Sequence, residues 1–254
     1  LRYAISGGAP LGERLGHFFR AVGITVFEGY GLTETSAPTC VNVPGAIKVG
    51  SVGRAYPSCR VTTDEEGEIL AKGDHVFIGY NNNEEATKAT FTEDGWLRTG
   101  DLGVVDEDGF VWVTGRKKEI IVTAGGKNVA PAVLEDRLRG HPLISQIVVV
   151  GDKRPFISAL VTLDAEMLPG WLKNHGFEAL TVAGAVKDPQ VLASIDRAIK
   201  RANEAVSRAE SIRKFTVLPI DFTTDNGYLT PSLKVKRNLV LKDFAVTIDQ
   251  IYEK

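Results

Sequence analysis

Methionine is almost missing from this sequence: Met167 is the only one, and the chain opens on Leu1. The expectation is a piece of a longer polypeptide, in which any site is incomplete. Cysteine is nearly as scarce. Cys40 and Cys59 form no metal-ligand spacing and no disulfide framework, so both read as small buried hydrophobes in a reducing compartment. The four histidines, His17, His75, His141 and His175, are scattered and show no ligand or acyl-transfer spacing, which leaves them structural or surface roles. Long apolar runs are lacking too. The longest, such as "ISQIVVV", are far too short to cross a bilayer, and no N-terminal stretch is built like a signal peptide. The chain therefore reads as intracellular. There is no Arg-rich stripe interleaved with aromatics, so nucleic acid is not an expected partner.

What is present is enough apolar material for real cores: 254 residues, 43% of them hydrophobic, suit one large domain or two ordinary ones. Charge is uneven along the chain. Residues 1–115 hold 9 Lys/Arg against 16 Asp/Glu, a net −7, and residues 116–254 hold 21 against 16, a net +5. Such asymmetry fits two surfaces of ordinary composition that attract weakly, or a basic half that brings cations to an anionic ligand held by the other.

The opening "LRYAISGGAPLGERLGHFFRAVG" predicts a strand, a Gly-Gly-Ala-Pro turn and a helix with Leu11, Leu15, Phe18, Phe19 and Val22 at helical spacing. The strand "ITVFEGYG" follows, an order that suits parallel pairing. From Val43 to Gly115 short strands alternate with Gly, Pro and Asn, and "DEDG" joins "LGVV" to "FVWVTG" as a hairpin, predicting a small antiparallel or barrel-like β unit. Composition shifts at "TGRKKEIIVTAGGKNVAP". Beyond it the pattern predicts a helix from Pro131 to Arg139, the strands "QIVVVG" and "FISALVTL", and a helix from Asp164 to His175 stopped by Gly176. A long helix over 189–211 opens at Asp188-Pro189, with Leu192, Ile195, Ile199, Ala202 and Val206 on one stripe. The strand "FTVLPI" and the tail "LTPSLKVKRNLV" complete the pattern.

The stretch with the densest chemistry is "GYGLTE". Gly29 and Gly31 let backbone approach a ligand, Tyr30 offers a flat face for a base, Thr33 a donor to a phosphate, and Glu34 a hard oxygen for Mg²⁺. The same residues also read as a polar turn with Thr33 as a helix cap. Asp101 in "TGD" reads equally as a turn aspartate, Arg116 as a surface arginine, and the basic tail around Lys234 as an ordinary solvated surface.

Five segments, "SGGAPL", "GYGLTE", "GWLRTGDLG", "GRKKEIIVTAGGKNVAP" and "LTPSLKVKR", stand in the order and rough spacing of the C-terminal portion of the adenylate-forming (AMP-binding) enzymes, and the chain resembles that family over most of its length. The phrase "EEATKATFTEDGWLRTGDLG" with the "TPSLK" tail looks most like the long-chain fatty acyl-CoA synthetases. The resemblance implies an α/β fold: residues 1–115 as the end of a large nucleotide-binding domain, strand-helix-strand plus a small β unit, and residues 116–254 as a smaller mobile α+β C-terminal domain, with Lys118 as the hinge. It implies a carboxylic acid joined to ATP to give an acyl-adenylate and pyrophosphate, then passed to the thiol of coenzyme A.

By the same resemblance Gly7, Gly8, Ala9 and Gly29 line the nucleotide, Tyr30 packs on the purine, Thr33 touches the phosphate and Glu34 helps hold Mg²⁺. Asp101 takes the ribose hydroxyls, since one carboxylate can accept two neighbouring O–H donors. Arg116 reaches the nucleotide, and Gly125 and Gly126 border the pantetheine path. Lys234 matches the mobile lysine that stabilises charge at the phosphoryl centre. Leu233 occupies a place where the family commonly has Gly, which leaves Lys236 as an alternative to Lys234. The implied partners are fatty acid, ATP, coenzyme A and the missing N-terminal part of the same chain, in the cytoplasm, with peripheral membrane contact among the expectations. The family's Gly/Ser/Thr-rich loop for the outer phosphates is absent here, so these 254 residues alone are expected to have little activity. Rival readings are a luciferase-like oxidase, a fatty acyl-AMP ligase feeding a carrier protein, and a nucleotide-binding or interaction module without chemistry.

Overall fold

Tyr3–Ser6 (β1) and Thr25–Leu32 (β2) pair in parallel, with the helix Glu13–Ala21 (α1) as the crossover that parallel strands need. The structure is a computed structural model that describes residues 1–253 and divides into two units between Glu119 and Ile120. In the first unit, Ala37–Val41 (β3) and Arg54–Ala55 (β4) extend the sheet in the order β1-β2-β3-β4. Arg60–Thr63 (β5), Glu68–Lys72 (β6), the helix Glu84–Thr90 (α2), Leu97–Val105 (β7) and Val111–Arg116 (β8) follow, and β5 to β8 form an antiparallel sheet in chain order. The β7–β8 turn closes because the Asp106 carboxylate accepts from the main-chain N–H of Asp108 and of Phe110, at 3.0 and 2.8 Å. The Val52 N–H donates to the Val111 carbonyl and the Val111 N–H to the Gly53 carbonyl, both at 2.9 Å, and Val52 and Val111 form a small apolar core with Cys40 and Ile69.

The helix α1 departs from expectation. Its apolar face lies uncovered: no residue of α1 is buried, and Leu15, Phe18 and Val22 are exposed. Tyr3 and Ile5 on β1, at the sheet edge, are exposed as well.

In the second unit Ile121–Val122 (β9) and Asn128–Val129 (β10) form a short hairpin, followed by the helix Pro131–Arg139 (α3). Ile144–Val150 (β11), Ile157–Leu163 (β12) and Ile212–Val217 (β13) make a sheet with β12 in the middle. The helices Met167–Asn174 (α4), Val182–Ala185 (α5) and Pro189–Asn203 (α6) lie between β12 and β13 in the chain, and Arg237–Asp243 (α7) and Ala245–Tyr252 (α8) follow. Every residue of β12 is buried, because both sheet faces are covered. Ile147, Val149 and Val161 face a cluster with Leu134, Trp171 and Ile195, while Val148, Val150 and Leu160 face Phe222, Val240 and Ile248.

Three boundaries are corrected. The helix expected from Asp164 starts at Met167, because the Asp164 side chain accepts from the N–H of Glu166 and Met167 and so works ahead of the first turn. The long helix stops at Asn203, short of 211. There the Asn203 side chain bonds both main-chain groups of Ile212, at 3.0 and 2.9 Å, tying the helix end to β13. The strand read as "FTVLPI" accordingly begins at Ile212 and ends at Val217. Asp188 does cap α6, accepting from Gln190 and Val191.

The two cysteines also differ from each other. Cys40 is fully buried, whereas Cys59 is only partly so, with Sγ 3.2 Å from Nδ1 of His75. No helix among the described residues is long and apolar enough to cross a membrane.

Candidate nucleotide site

The parallel register sets Ser6 opposite Glu28, so the turn that leaves β1 and the Gly-Tyr-Gly segment of β2 lie side by side. A Cβ on Gly7 would stand 3.4 Å from the Gly29 carbonyl oxygen, which places Gly7 and Gly29 in direct apposition. Gly8 has φ +80° and stands with Ala9 at the exposed tip of that turn. Glu28, which the sequence reading passed over, is buried and accepts from the Leu11 N–H at 2.8 Å, pinning the end of the turn to β2. The signal was available: an acid inside the apolar strand "ITVFEGYG" needs a partner.

Gly31 is fixed by a close approach. A Cβ there would fall 1.8 Å from the Ala37 carbonyl oxygen, so no other residue fits where β2 meets β3. The 3₁₀ turn Thr33–Thr35 follows. Its capping hydroxyl belongs to Thr35, which accepts from the Leu32 N–H at 2.9 Å and stands 3.1 and 3.0 Å from the Leu32 and Ala37 carbonyls, either of which can take its proton. The cap reading of Thr33 is therefore corrected, for Thr33 is exposed and the turn is satisfied without its side chain.

Tyr30, Asp101 and Arg116 come from three distant places in the chain and meet. The Tyr30 hydroxyl donates to Asp101 Oδ2 at 2.7 Å, and Arg116 Nε lies 3.0 Å from Asp101 Oδ1. Register explains part of this, because Asp101 on β7 is directly opposite Arg116 on β8. Asp101 is buried in a strand, which removes its reading as a turn or cap aspartate, whereas Arg116 remains more than half exposed. Burial, and then the Asp101 charge, hold the Tyr30 phenol far above its ordinary value, so it stays a donor. The "RTG" residues before Asp101 are tied to β6: Thr99 Oγ1 donates to the Ile69 carbonyl at 2.7 Å, and the Gly100 N–H donates to Glu68 Oε1 at 3.0 Å.

Glu34 is the acid of the neighbouring turn. Its Oε1 accepts from the Tyr80 hydroxyl at 2.9 Å and its carbonyl accepts from the Phe77 N–H at 2.8 Å. No group of three or more His, Cys, Asp or Glu suited to a metal exists among the described residues. Mg²⁺ nevertheless fits this chemistry, since it keeps several waters and takes one or two carboxylates together with substrate phosphates.

Lys117 makes side-chain ion pairs with Glu66 and Glu68 at 2.6 and 3.0 Å and opens a single 3₁₀ turn, Lys117–Glu119. Lys118, next in line, is exposed.

The second unit carries the remaining candidates. Gly125 and Gly126 occupy the tip between β9 and β10, where the Gly126 N–H donates to the Thr123 carbonyl at 2.8 Å. The tail around Lys234 is a tight hairpin. Leu229 bridges Val235, the Thr230 N–H donates to the Lys234 carbonyl, and the Leu233 N–H donates to the Thr230 carbonyl, both at 2.8 Å. Leu233 adopts φ +59°, the left-handed region that favours glycine, and is exposed at the tip beside Lys234. Lys236 instead stands at the base, where its N–H donates to the Tyr228 carbonyl and its carbonyl starts α7. Arg237 roots the hairpin through the buried Glu135 carboxylate and the Val149 carbonyl.

Comparison with known proteins bears on this arrangement. Residues 118–254 match the family model described as AMP-binding enzyme C-terminal domain, and residues 1–81 match the one described as AMP-binding enzyme. The chain is 58% identical, over its whole length, to a long-chain-fatty-acid–CoA ligase (FadD15) of Mycobacterium bovis, and covers 42% of that protein. It is 37% identical over 97% of its length to the long-chain-fatty-acid–CoA ligase ACSBG1 of Homo sapiens, of which it covers 37%. The chain thus spans about two fifths of the length of the curated relatives it matches. Among solved structures, it aligns with an o-succinylbenzoate–CoA synthetase (MenE) of Bacillus subtilis in complex with an acyl-adenylate intermediate. The TM-score is 0.72 at 27% identity, covering 94% of this chain and 46% of that one. The same synthetase in complex with ATP and a magnesium ion aligns with a TM-score of 0.68 at 29% identity, over 93% of this chain and 46% of that one.

Proposed function

The chain belongs to the AMP-binding enzymes, and from that premise we propose that it is the C-terminal portion of a long-chain fatty acid–CoA ligase. The reaction joins a fatty acid carboxylate to the α-phosphate of ATP, releasing pyrophosphate, and the thiol of coenzyme A then displaces AMP to give the thioester. The observation that carries the reading is the convergence of Tyr30 and Arg116 on the buried Asp101 carboxylate. An acid so held is a preorganised acceptor for a vicinal pair of hydroxyls, as on a ribose, and the Tyr30 ring beside it offers a face to the base. Arg116, the exposed partner, is the one able to turn toward a phosphate.

Within this reading Gly7, Gly8, Ala9 and Gly29 form the backbone wall of the nucleotide pocket, Thr33 donates to a phosphate oxygen, and Glu34 supplies the protein ligand of Mg²⁺. Mg²⁺ held by Glu34 and the phosphates would supply positive charge to the phosphate oxygens. Lys234, exposed beside the tip of its hairpin, fits a reaching cation better than Lys236, which stands at the hairpin base where α7 begins. Lys118, exposed in the single 3₁₀ turn Lys117–Glu119 that ends the first unit, suits a hinge, since a change in a few backbone angles there suffices to turn a domain. Gly125 and Gly126 border the path of the coenzyme A arm. The names of the curated relatives support a long-chain fatty acid as the carboxylate.

The test is AMP binding to a full-length enzyme carrying this segment. Asp101→Asn should weaken AMP by about tenfold or more, the cost of losing hydrogen bonds to a charged acceptor. Unchanged AMP affinity in a correctly folded Asp101→Asn protein would contradict the reading.

A further inference from the structure

The loop between β6 and α2 holds Glu34 at two points. Phe77 donates its N–H to the Glu34 carbonyl at 2.8 Å, and three residues later the Tyr80 hydroxyl donates to Glu34 Oε1 at 2.9 Å. Tyr80 is itself braced. Its N–H donates to Thr87 Oγ1 at 2.9 Å, and that hydroxyl donates to the Asn83 carbonyl at 2.8 Å, within the capped first turn of α2. Its ring meets Phe77 edge-on at 4.9 Å between centroids, and Phe77 stacks on Phe91 at 5.8 Å. The ring contact with Phe77 accounts for the place of the aromatic ring, but not for the hydroxyl, which donates to the carboxylate. The whole assembly ends at one carboxylate oxygen.

We propose that Tyr80 is a positioning residue for the metal-binding carboxylate: its hydroxyl occupies Glu34 Oε1, fixes the side chain's rotamer, and leaves Oε2 to face the cation. The inference rests on the reading of Glu34 as the Mg²⁺ ligand. A carboxylate free to rotate loses entropy when it takes up a metal, whereas one already oriented by a braced donor does not. Tyr80 touches neither nucleotide nor metal in this role, so its removal should weaken the cation and spare the base and ribose.

The experiment uses a full-length enzyme with Mn²⁺ as the probe, its binding followed by electron paramagnetic resonance in the presence of a non-reactive α,β-methylene ATP analogue. Tyr80→Phe, which deletes only the hydroxyl, should weaken Mn²⁺ about threefold to tenfold, in line with one net hydrogen bond. AMP affinity without metal should be unchanged. Glu34→Gln should weaken Mn²⁺ further, and adding Tyr80→Phe to Glu34→Gln should cost much less than Tyr80→Phe alone. If Glu34→Gln weakens Mn²⁺ while Tyr80→Phe binds it like the parent, the inference about Tyr80 is overturned and the Glu34 assignment stands. If Glu34→Gln has no effect, both are overturned. An equal loss of metal-free AMP affinity in Tyr80→Phe would show general loop ordering and also overturn the inference.

Discussion

The two units solve the problem of burial differently. The second unit covers both faces of its sheet, so β12 is buried throughout, with separate apolar clusters under α3, α4 and α6 on one side and under α7 and α8 on the other. The first unit has a core of a few residues around Cys40 and Ile69, and leaves Tyr3, Ile5, Leu15, Phe18 and Val22 exposed on β1 and α1. Its order is concentrated instead in polar ties: Glu28 to Leu11, Asp101 to Tyr30 and Arg116, Glu68 to Gly100 and Lys117. Apolar layers stabilise a unit by themselves, while polar ties fix side chains in place; the lesson is that the two kinds of order are concentrated in different units.

The sharpest way to break this comparison is to separate the units. Residues 120–254 expressed alone should unfold in one cooperative denaturant transition, and residues 1–119 alone should bind a hydrophobic dye and lack such a transition. A cooperative transition in the first unit alone would remove the contrast. Alkaline pH offers the next test. Burial pushes the Cys40 thiol up to about 12. A folded-state value raised in this way gives stability that is complete below the unfolded value and lost as pH rises toward the folded one, because the unfolded chain sheds the proton first. Between about pH 9 and 12 unfolding free energy should therefore fall by about 1.4 kcal/mol per pH unit for this one group. Cys40→Ala should flatten the fall by that amount, and an identical slope would show that the first unit's core is not closed around the thiol. The smallest effect concerns the Lys234 hairpin. Leu233→Gly should stabilise the second unit by about 0.5–1 kcal/mol through relief of the left-handed backbone, and Leu233→Ala, equally strained, should not. A loss of stability in Leu233→Gly would show that the exposed leucine packs on something that offsets its strain.

Much of the second unit was legible because periodicity and caps agreed: Pro131 and Gly140 bracket α3, and Asp188-Pro189 starts α6. The end of α6 was not, since its stop comes from Asn203 gripping Ile212, nine residues away, and not from a local breaker. In the candidate site the order of motifs named Tyr30, Asp101 and Arg116, but no spacing could show that one carboxylate joins them, because β7 and β8 must pair first. Thr33 reads as the cap because it opens the turn, whereas the hydroxyl that closes it comes from Thr35, two residues on, and folds back to Leu32. Tyr80 was invisible for a similar reason, being 46 residues from the acid it touches.

The account stands most directly on fatty-acid-dependent exchange of pyrophosphate into ATP by a full-length enzyme carrying this segment. Lys234→Ala should lower that exchange by a factor on the order of 10²–10³, the usual loss when one charge-stabilising donor is removed, while transfer from preformed acyl-adenylate to coenzyme A survives. Exchange at the parent rate in Lys234→Ala would contradict it.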